Sequence, residues 1–279
     1  MRAVKPKKAL GQHFLTDLNV AARIAATLDD YVDIPVLEIG PGMGVLTQFL
    51  LEKHPAGQFK VAEIDTESVD YLTVAFPALA SAGAIVAGDF LEMDLDALFP
   101  PSDGPFCVIG NYPYNISSQI FFRVLDYKDR ITCCSGMLQR EVAERIAAAP
   151  GSKARGILSV LLQAWYDVEY LFTVSEHVFN PPPKVKSGVI RLRRNGLTDL
   201  GCDPALFRTV VKTTFGQRRK TIRNSMRSLL PPSAVIPDGR ASVLAAMRPE
   251  QLSVAEFVEL TNIISDIRDK SRQAQDLIR

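Results

Sequence analysis

The sequence contains few cysteines and histidines and no long hydrophobic run. Its 279 residues include four cysteines and three histidines, and because no C-x-x-C or H-x-x-x-H spacing occurs, neither a zinc site nor a disulfide framework is indicated. No apolar run approaches the roughly 18 to 20 residues that cross a bilayer, and the N-terminus lacks the hydrophobic core of a signal peptide. We therefore expect a cytoplasmic protein with free thiols, no metal site and no membrane partner.

The composition excludes a mainly disordered chain. The sequence is 47% hydrophobic and 23% charged, which is typical of a globular protein that buries a full core. Its length exceeds one average domain, and this suggests either one large domain with an appendage or two smaller ones. A monomer is the default expectation.

Short apolar, β-branched runs alternate with helical patterns through the first two thirds of the chain. The predicted strands are residues 36–39, 59–64, 84–87, 106–109, 133–138, 166–172 and 188–192. The predicted helices between them are residues 45–51, 66–76, 118–125, 140–148 and 157–164. This alternation predicts an α/β fold with a doubly wound parallel sheet and crossover helices.

The pattern changes after Arg194. A polar stretch follows, punctuated by Asn195-Gly196 and Cys202-Asp203-Pro204, and beyond it only helical patterns occur. We therefore predict two domains, residues 1–198 and residues 199–279, of which the second is small and helical.

A capping box marks the start of a helix in the predicted second domain. Ser253 and Glu256 have the spacing in which each side chain hydrogen-bonds to the other residue's backbone N–H. Leu252 and Phe257 occupy the positions of a hydrophobic staple. A stable helix should begin here.

Charge is balanced over the whole chain but segregated along it. The formal net charge is +1, which by itself argues against a nucleic-acid partner. Three stretches nevertheless contain basic residues and no acidic ones: Arg2, Lys5, Lys7 and Lys8; Lys184, Lys186, Arg191, Arg193 and Arg194; and Arg208, Lys212, Arg218, Arg219, Lys220, Arg223 and Arg227. One such run is usually a solvated face, but three in a near-neutral chain favour binding of a polyanion.

A glycine-rich turn follows the first predicted strand. Gly40, Gly42 and Gly44 lie between this strand and the next helix, where glycine lets a ligand approach the backbone closely. A dinucleotide-binding fingerprint would need another glycine at position 45, where the chain has Val45. A nicotinamide-dependent dehydrogenase is therefore a remote alternative.

Carboxylates stand at the ends of the first three strands. Glu63 can accept hydrogen bonds from ribose hydroxyls, Asp89 can accept from the amine of an adenine, and Glu38 adds a third negative charge. Such a set would repel a pyrophosphate but suits S-adenosylmethionine, a nucleoside with a sulfonium cation. Each element alone could be a tight turn or a helix cap, but together they predict a nucleoside site at the carboxyl edge of the sheet.

The tetrapeptide Asn111-Tyr112-Pro113-Tyr114 follows the fourth predicted strand. In isolation it could be a plain turn. The Asn111 side-chain oxygen and the Tyr112 carbonyl can also both accept from an aromatic amine, which localises its lone pair toward a methyl donor. Pro113 would fix the turn and Tyr114 could lie on a face of the base, so positioning would do most of the catalysis.

Six separate motifs occur in order along the chain, at residues 11–15, 38–42, 111–117, 137–142, 179–185 and 217–224. In these motifs the sequence resembles the small-subunit ribosomal RNA adenine dimethyltransferases. Relatives of that family are the macrolide-resistance rRNA methylases and the mitochondrial transcription factor B proteins. The resemblance runs from about Lys8 to Ile264. It implies a Rossmann-like class I methyltransferase sheet with helices on both faces, followed by a small C-terminal all-α domain.

The resemblance also implies roles for individual residues. The residues implied for binding S-adenosylmethionine are His13, Leu15, Gly40, Gly42, Glu63, Ile64, Asp89, Phe90 and Asn111. The residues implied for the target base are Asn111, Tyr112, Pro113, Tyr114 and Phe179, with Phe179 closing over the second face of the adenine. The residues implied for RNA phosphates, beside the cleft, are Lys184, Lys186, Arg218, Arg219, Lys220 and Arg223.

Two residues depart from the pattern of this family. Tyr112 stands where many members carry Leu, which leaves the proposed backbone acceptor unchanged. Arg155 stands before Gly156 where many members carry Tyr, which places a positive side chain near the fifth helix, so one detail of RNA docking does not follow from the resemblance.

The function implied is dimethylation of N6 of adenosines in small-subunit rRNA, free or in a precursor particle. One alternative is a resistance-type methylase that acts on large-subunit rRNA. Another is a ribosome assembly factor whose catalysis is dispensable. The triple proline and the Gln-Arg-Arg-Lys-Thr run favour the first function.

Overall fold

The computed structural model describes residues 4–7, 10–232 and 234–276 of the chain. The chain forms two compact units: Met1–Glu144 with Tyr166–Arg194, and Arg145–Trp165 with Asn195–Arg279. The second unit therefore includes Arg145–Trp165, which the division predicted at residue 198 assigns to the first domain. Among the described residues, no helix is both long enough and apolar enough to span a membrane.

The described part of the first unit contains nine strands. They are β1 (Phe14–Leu15), β2 (Val36–Ile39), β3 (Phe59–Glu63), β4 (Ile85–Ala87), β5 (Phe106–Asn111), β6 (Ile131–Gln139), β7 (Tyr166–Val174), β8 (Phe179–Asn180) and β9 (Ser187–Arg194). The seven longer strands coincide with the predicted ones to within three residues. Among the described residues, the two-residue strands β1 and β8 pair only with each other, and they are too short to produce a periodic pattern.

The seven longer strands form one sheet in the order β4-β3-β2-β5-β6-β9-β7. All pairings up to β6 are parallel, whereas β9 is antiparallel to both β6 and β7. The sheet is thus mixed rather than wholly parallel. Strand β9 is reversed because residues 175–186 join it to β7 without the crossover helix that a parallel connection needs.

In the part of the chain that the structure describes, seven α-helices accompany this sheet. They are α1 (Leu18–Ala25), α2 (Thr47–Leu51), α3 (Thr66–Ala75), α4 (Pro77–Ser81), α5 (Leu95–Leu98), α6 (Ser117–Asp126) and α7 (Arg140–Ile146). Helix α1 begins after Asp17, whose carboxylate accepts from the backbone N–H groups of Asn19 and Val20. Its buried residues Ala21 and Ile24 pack in the core of the unit.

The second unit is helical. Its helices are α8 (Ile157–Gln163), α9 (Pro204–Gly216), α10 (Ile222–Ser225), α11 (Arg240–Ala246) and α12 (Val254–Asp276). The capping box predicted for α12 is confirmed, because Ser253 N–H donates to Glu256 Oε2 at 2.8 Å and Glu256 N–H donates to Ser253 Oγ at 3.2 Å. The rings of Phe215 and Phe257 stack in this core, 6.0 Å apart.

Arg155, which departs from the pattern of the family, is completely buried. Its Nη1 donates to the carbonyl of Ala148 at 2.6 Å and to Gln163 Oε1 at 2.7 Å. Burial lowers its pKa to about 10. The guanidinium therefore holds the loop before α8 to that helix and does not reach a ligand at the surface.

Candidate active site

A cleft lies at the carboxyl end of the parallel strands. The chain passes from β2 to β3 and β4 on one side and then returns to β5 on the other, so the strand order reverses between β2 and β5. Ligands of open α/β sheets bind at such a point. The cleft has an empty volume, open solvent included, of about 910 Å³.

The cleft unites nearly all the residues predicted for the donor site and the target base. Of the donor-site residues, only Leu15 is absent from its lining, and of the base-site residues only Phe179 is absent. These residues come from the ends of β2, β3 and β5, from the loop after β4 and from the chain before α1. Because these residues line a single cleft, their positions agree with the prediction of a nucleoside site at this edge of the sheet.

The glycine turn after β2 forms one side of the cleft. Gly42 has a φ of 56°, and a Cβ atom there would lie 2.9 Å from Cε1 of the Phe14 ring. Any larger residue would therefore be strained and would displace Phe14. The start of the turn is held to strand β3, because the Gly40 N–H donates to the Ala62 carbonyl at 2.9 Å.

Glu63 is held at the end of β3 by two backbone N–H groups. Its Oε2 accepts from Gly42 at 3.0 Å and its Oε1 accepts from Asp65 at 2.9 Å. Burial raises the pKa of Glu63, while these two hydrogen bonds oppose the rise. Since each oxygen can accept a further hydrogen bond, the carboxylate stays able to bind a hydroxyl in the cleft.

The third predicted acid and its neighbours also line the cleft. Asp89 Oδ1 accepts from the Leu91 N–H at 2.9 Å, which orients the carboxylate. Ile64 is half exposed and Phe90 is buried, so they supply apolar surface beside the two acids. Acidic and apolar groups therefore alternate along this wall.

Glu38 does not line the cleft, so its expected part in the acidic set is wrong. Its side chain is 1% exposed, and its Oε2 accepts from the Thr47 hydroxyl at 2.7 Å. Burial raises the pKa of Glu38 to about 8, so this carboxyl is mainly protonated at neutral pH.

Asn111 ends β5 at the centre of the cleft. Its Nδ2 donates to the backbone carbonyl of His13 at 3.1 Å. The amide nitrogen is thereby engaged, which leaves Oδ1 as the acceptor for a ligand. The predicted acceptor at this position is thus present with a defined orientation.

Tyr112 anchors the tetrapeptide in the core rather than presenting its ring to the cleft. The ring is 1% exposed and its hydroxyl donates to the Ser135 carbonyl at 2.6 Å. It occupies space left by two glycines: a Cβ at Gly136 would lie 2.7 Å from the ring, and a Cβ at Gly110 would lie 3.0 Å from it. The Tyr112 N–H also donates to the Met137 carbonyl at 2.8 Å. The backbone at the proposed acceptor is therefore tightly held.

Tyr114 is half buried and is fixed through its hydroxyl, which lies 2.5 Å from Ser187 Oγ. Its ring is 5.6 Å from the His13 ring at an interplanar angle of 32°. Burial raises the pKa of the Tyr114 phenol and the hydrogen bond to Ser187 opposes the rise. The ring thus lines the cleft as a neutral aromatic surface.

Leu15 and Phe179 are not among the residues that line the cleft. They are opposite each other in the β1–β8 pair, and both belong to the buried core. Thr16 adds to this pairing by donating to the Val178 carbonyl at 2.8 Å through its N–H. The role of Phe179 over the adenine stays a prediction.

The site prediction missed nine of the residues that line the cleft: Leu10, Gly11, Gln12, Phe14, Ile39, Ala62, Gly88, Asn115 and Ile116. Gly11, Gln12 and Phe14 line the cleft beside His13. These three residues belong to the motif at residues 11–15, which also contains the predicted donor-site residue His13. Their position beside His13 in the sequence is the signal that could have identified them. Among the described residues, no group of three or more His, Cys, Asp or Glu side chains could hold a metal ion.

The basic run at residues 181–194 is only partly available to an anion. Arg191 and Arg193 both pair with Glu169 on the neighbouring strand β7, at 2.9 and 2.7 Å. Lys184 and Lys186 are exposed in the loop before β9. A stretch without acidic residues in the sequence can therefore still form ion pairs with an acid on a neighbouring strand.

The basic run of the second unit is more open. Arg218, Arg219, Lys220 and Arg223 are exposed, and no ion pair joins any of them to an acid in the part of the chain that the structure describes. Arg218 donates to the Lys153 carbonyl at 2.7 Å. In the N-terminal run, Lys7 pairs with Asp65, while Arg2 and Lys8 lie outside the described residues.

The sheet and the cleft define the class of protein. A seven-stranded sheet in this order, with only the strand next to the last edge reversed, is that of the class I S-adenosylmethionine-dependent methyltransferases. The expected fold and the expected methyl donor are confirmed. Comparison with known families narrows the class: a family described as ribosomal RNA adenine dimethylase matches residues 3–266, and the chain belongs to it.

Individual relatives agree with this family. The chain is 66% identical to a ribosomal RNA small subunit methyltransferase A of Parabacteroides distasonis over the full length of both chains. It is 61% identical to a protein of the same description from Bacteroides thetaiotaomicron, over 95% of this chain and 96% of that one. The resemblance expected from the sequence motifs is thereby confirmed.

Solved structures show the same fold. A dimethyladenosine transferase from Plasmodium falciparum superimposes with a TM-score of 0.70 at 21% identity, covering 89% of this chain and 96% of that one. The 23S rRNA methyltransferase ErmE superimposes with a TM-score of 0.64 at 30% identity, covering 89% of this chain and 99% of that one.

Proposed function

We propose that the chain transfers methyl groups from S-adenosylmethionine to N6 of adenosines in small-subunit rRNA, two to each base. The observation that carries the proposal is the orientation of Asn111. Its amide nitrogen is engaged by the His13 carbonyl, so its oxygen is left to accept from an amine in a cleft built for a nucleoside.

The cleft residues fit the methyl donor. The glycine turn gives close access to the backbone, while Glu63 and Asp89 supply acceptors for the ribose and adenine of the donor. The carboxylates also favour a ligand with a positive charge. S-adenosylmethionine supplies an electrophilic methyl group on a sulfonium sulfur.

Asn111 and the peptide after it are the proposed catalytic groups. The Asn111 Oδ1 and the Tyr112 carbonyl would accept hydrogen bonds from the N–H groups of the target amine and direct its lone pair toward the methyl group. Such acceptors stabilise the charge that develops on the nitrogen without reorganising, because the backbone here is held by β6. The methylated ammonium would then lose its proton to water. Tyr114 would support one face of the base.

The preference for small-subunit rRNA rests on similarity. Relatives described as small-subunit enzymes are up to 66% identical to the chain, whereas the large-subunit enzyme ErmE is 30% identical. We propose that the substrate is small-subunit rRNA, free or in a precursor particle, which a monomeric enzyme meets in the cytoplasm. The exposed cations Lys184, Lys186, Arg218, Arg219, Lys220 and Arg223 would contact its phosphates.

The test is incubation of the purified chain with labelled S-adenosylmethionine and separate small- and large-subunit particles that lack N6-methylated adenosines. Mass analysis of nuclease digests should find dimethyladenosine in the small-subunit RNA alone. Label in the large-subunit RNA alone would establish the resistance-type activity instead. Incorporation into neither RNA would refute the proposal.

A further inference from the structure

The chain before the first helix forms a wall of the donor cleft. Leu10, Gly11, Gln12, His13 and Phe14 all line it. This wall, residues 10–14, is tied on one side by the His13 carbonyl, which accepts from Asn111. On the N-terminal side, the side chains of Lys7 and Gln12 both donate hydrogen bonds to one carboxylate.

That carboxylate belongs to Asp65. Its Oδ1 accepts from the Lys7 ammonium and its Oδ2 accepts from Gln12 Nε2 at 3.3 Å. Gln12 in turn accepts, through Oε1, from the Lys7 backbone N–H at 2.8 Å. Lys7, Gln12 and Asp65 therefore form a closed triangle of hydrogen bonds, named here the N-terminal latch.

The hydrogen bonds of Asp65 exceed what a helix cap requires. Asp65 is the N-cap of α3 and accepts from the Glu67 N–H at 3.2 Å, a bond that Asn, Ser or Thr could also make. Its side chain is 1% exposed, and a carboxylate buried to this degree needs a compensating cation. Lys7 supplies that cation. Burial alone would raise the pKa of Asp65, but the hydrogen bonds from Lys7 and Gln12 outweigh it and the pKa is lowered.

Asp65 also touches the donor site directly. Its backbone N–H donates to Glu63 Oε1 at 2.9 Å, and Glu63 is the proposed acceptor for the ribose of the donor. One residue thus holds the cleft wall through its side chain and the ribose acceptor through its backbone. The Lys7 side chain is 37% exposed, so solvent and salt can reach the ion pair and open it.

We propose that Asp65 is a positioning residue for the methyl donor, which holds the wall at residues 10–14 closed through Lys7 and Gln12. Opening of the N-terminal latch admits S-adenosylmethionine and releases S-adenosylhomocysteine. The inference rests on the donor site assigned under the proposed function. It adds Asp65 as a residue that determines how fast the bound nucleoside dissociates and not how fast the methyl group is transferred.

The variants K7M and D65N test the latch, with E67Q as the matched control. Asn preserves the helix cap in D65N. Glu67 lies 3.5 Å from the same ammonium but is exposed and, among the described residues, makes no hydrogen bond to the wall. Stopped-flow measurement should give dissociation of S-adenosylhomocysteine about five- to tenfold faster in K7M and D65N than in the native protein or E67Q, as expected when one ion pair is removed. Added salt should accelerate dissociation from the native protein and not from K7M.

Hydrogen exchange of the protein without any nucleoside provides the second measurement. The amides of residues 10–14 should exchange faster in K7M and D65N and at the native rate in E67Q. The double variant should match the single variants, because either substitution breaks the same ion pair. Native exchange and native dissociation in K7M would overturn the inference even if D65N is unstable. Failure of the proposed function would instead appear as no nucleoside binding, while the exchange comparison would still decide whether the latch exists.

Discussion

The side-chain amide of Asn111 donates to the backbone carbonyl of His13, and this hydrogen bond joins the end of the central strand β5 to the chain before the first helix. It determines which atom of the amide is available to a substrate. It also makes the catalytic geometry depend on a segment far away in the sequence.

The variant N111A should lose methyl transfer while its binding of S-adenosylmethionine stays measurable. Removal of one acceptor for the developing charge is expected to lower kcat by about 10²-fold or more. Single-turnover transfer and calorimetric binding of S-adenosylmethionine measure the two effects separately. Turnover near the native rate would refute the role of Asn111, and complementation by this variant would reveal any role in assembly that needs no catalysis.

Neutralising the exposed basic run of the second unit should weaken RNA binding. In a triple variant, R218Q/R219Q/K220Q, we expect the slope of log affinity against log salt to fall in magnitude by about 2 to 3, because each phosphate that a cation neutralises releases about one counterion. Arg240 is the control, since it already pairs with Glu256 and Glu259. If the triple variant and R240Q share the native slope, the run is a solvated face.

The variant R155M should raise the free energy of unfolding and leave RNA affinity unchanged. Arg155 Nε and Nη2 are buried without a hydrogen-bond partner among the described residues, and a buried polar group in that state costs about 1 to 3 kcal/mol. Removal of the hydrogen bonds to Ala148 and Gln163 offsets part of the gain. We therefore expect the free energy of unfolding of R155M, measured by urea denaturation, to rise by about 1 kcal/mol. Weaker RNA binding with native stability would contradict the buried position.

Glu38 should make stability depend on pH between about 4.5 and 8. The folded-state pKa of about 8 lies above the ordinary value of 4.5, so its contribution is complete below pH 4.5 and is lost as the pH rises toward 8. The free energy of unfolding should therefore fall with rising pH, relative to E38Q, by up to about 1.4 kcal/mol per pH unit. Urea unfolding at pH 5, 6.5 and 8 measures this slope, and the exposed Glu52, as E52Q, serves as the control. Parallel curves for the native protein and E38Q would show that Glu38 ionises normally.

The sequence was sufficient for the long strands and for most of the cleft. Apolar periodicity predicted each strand of the main sheet, and the strand ends then placed Gly40, Glu63, Asp89 and Asn111 at one edge. Periodicity could not predict β1 and β8, because two residues contain no repeat.

The errors concern properties that depend on distant residues. Arg191 and Arg193 looked unopposed along the chain, yet Glu169 faces them across the β7–β9 pairing. Glu38 stands at a strand end like Glu63, but helix α2 covers it through Thr47. Arg155 has the charge of a surface residue, and only tertiary packing reveals that it is enclosed.

The burial of Tyr112 between Gly110 and Gly136 has a consequence for how this protein can change over time. The three positions share one volume, but a backbone oxygen also confines each glycine, because a Cβ at Gly110 would lie 2.6 Å from the Ile39 carbonyl oxygen. A drift from tyrosine to leucine would free room that a methyl group at position 136 could not fill, since the Gly110 carbonyl oxygen would still lie 2.3 Å from it. Neither glycine could therefore be enlarged even beside a smaller residue at position 112, although neither of them lines the cleft.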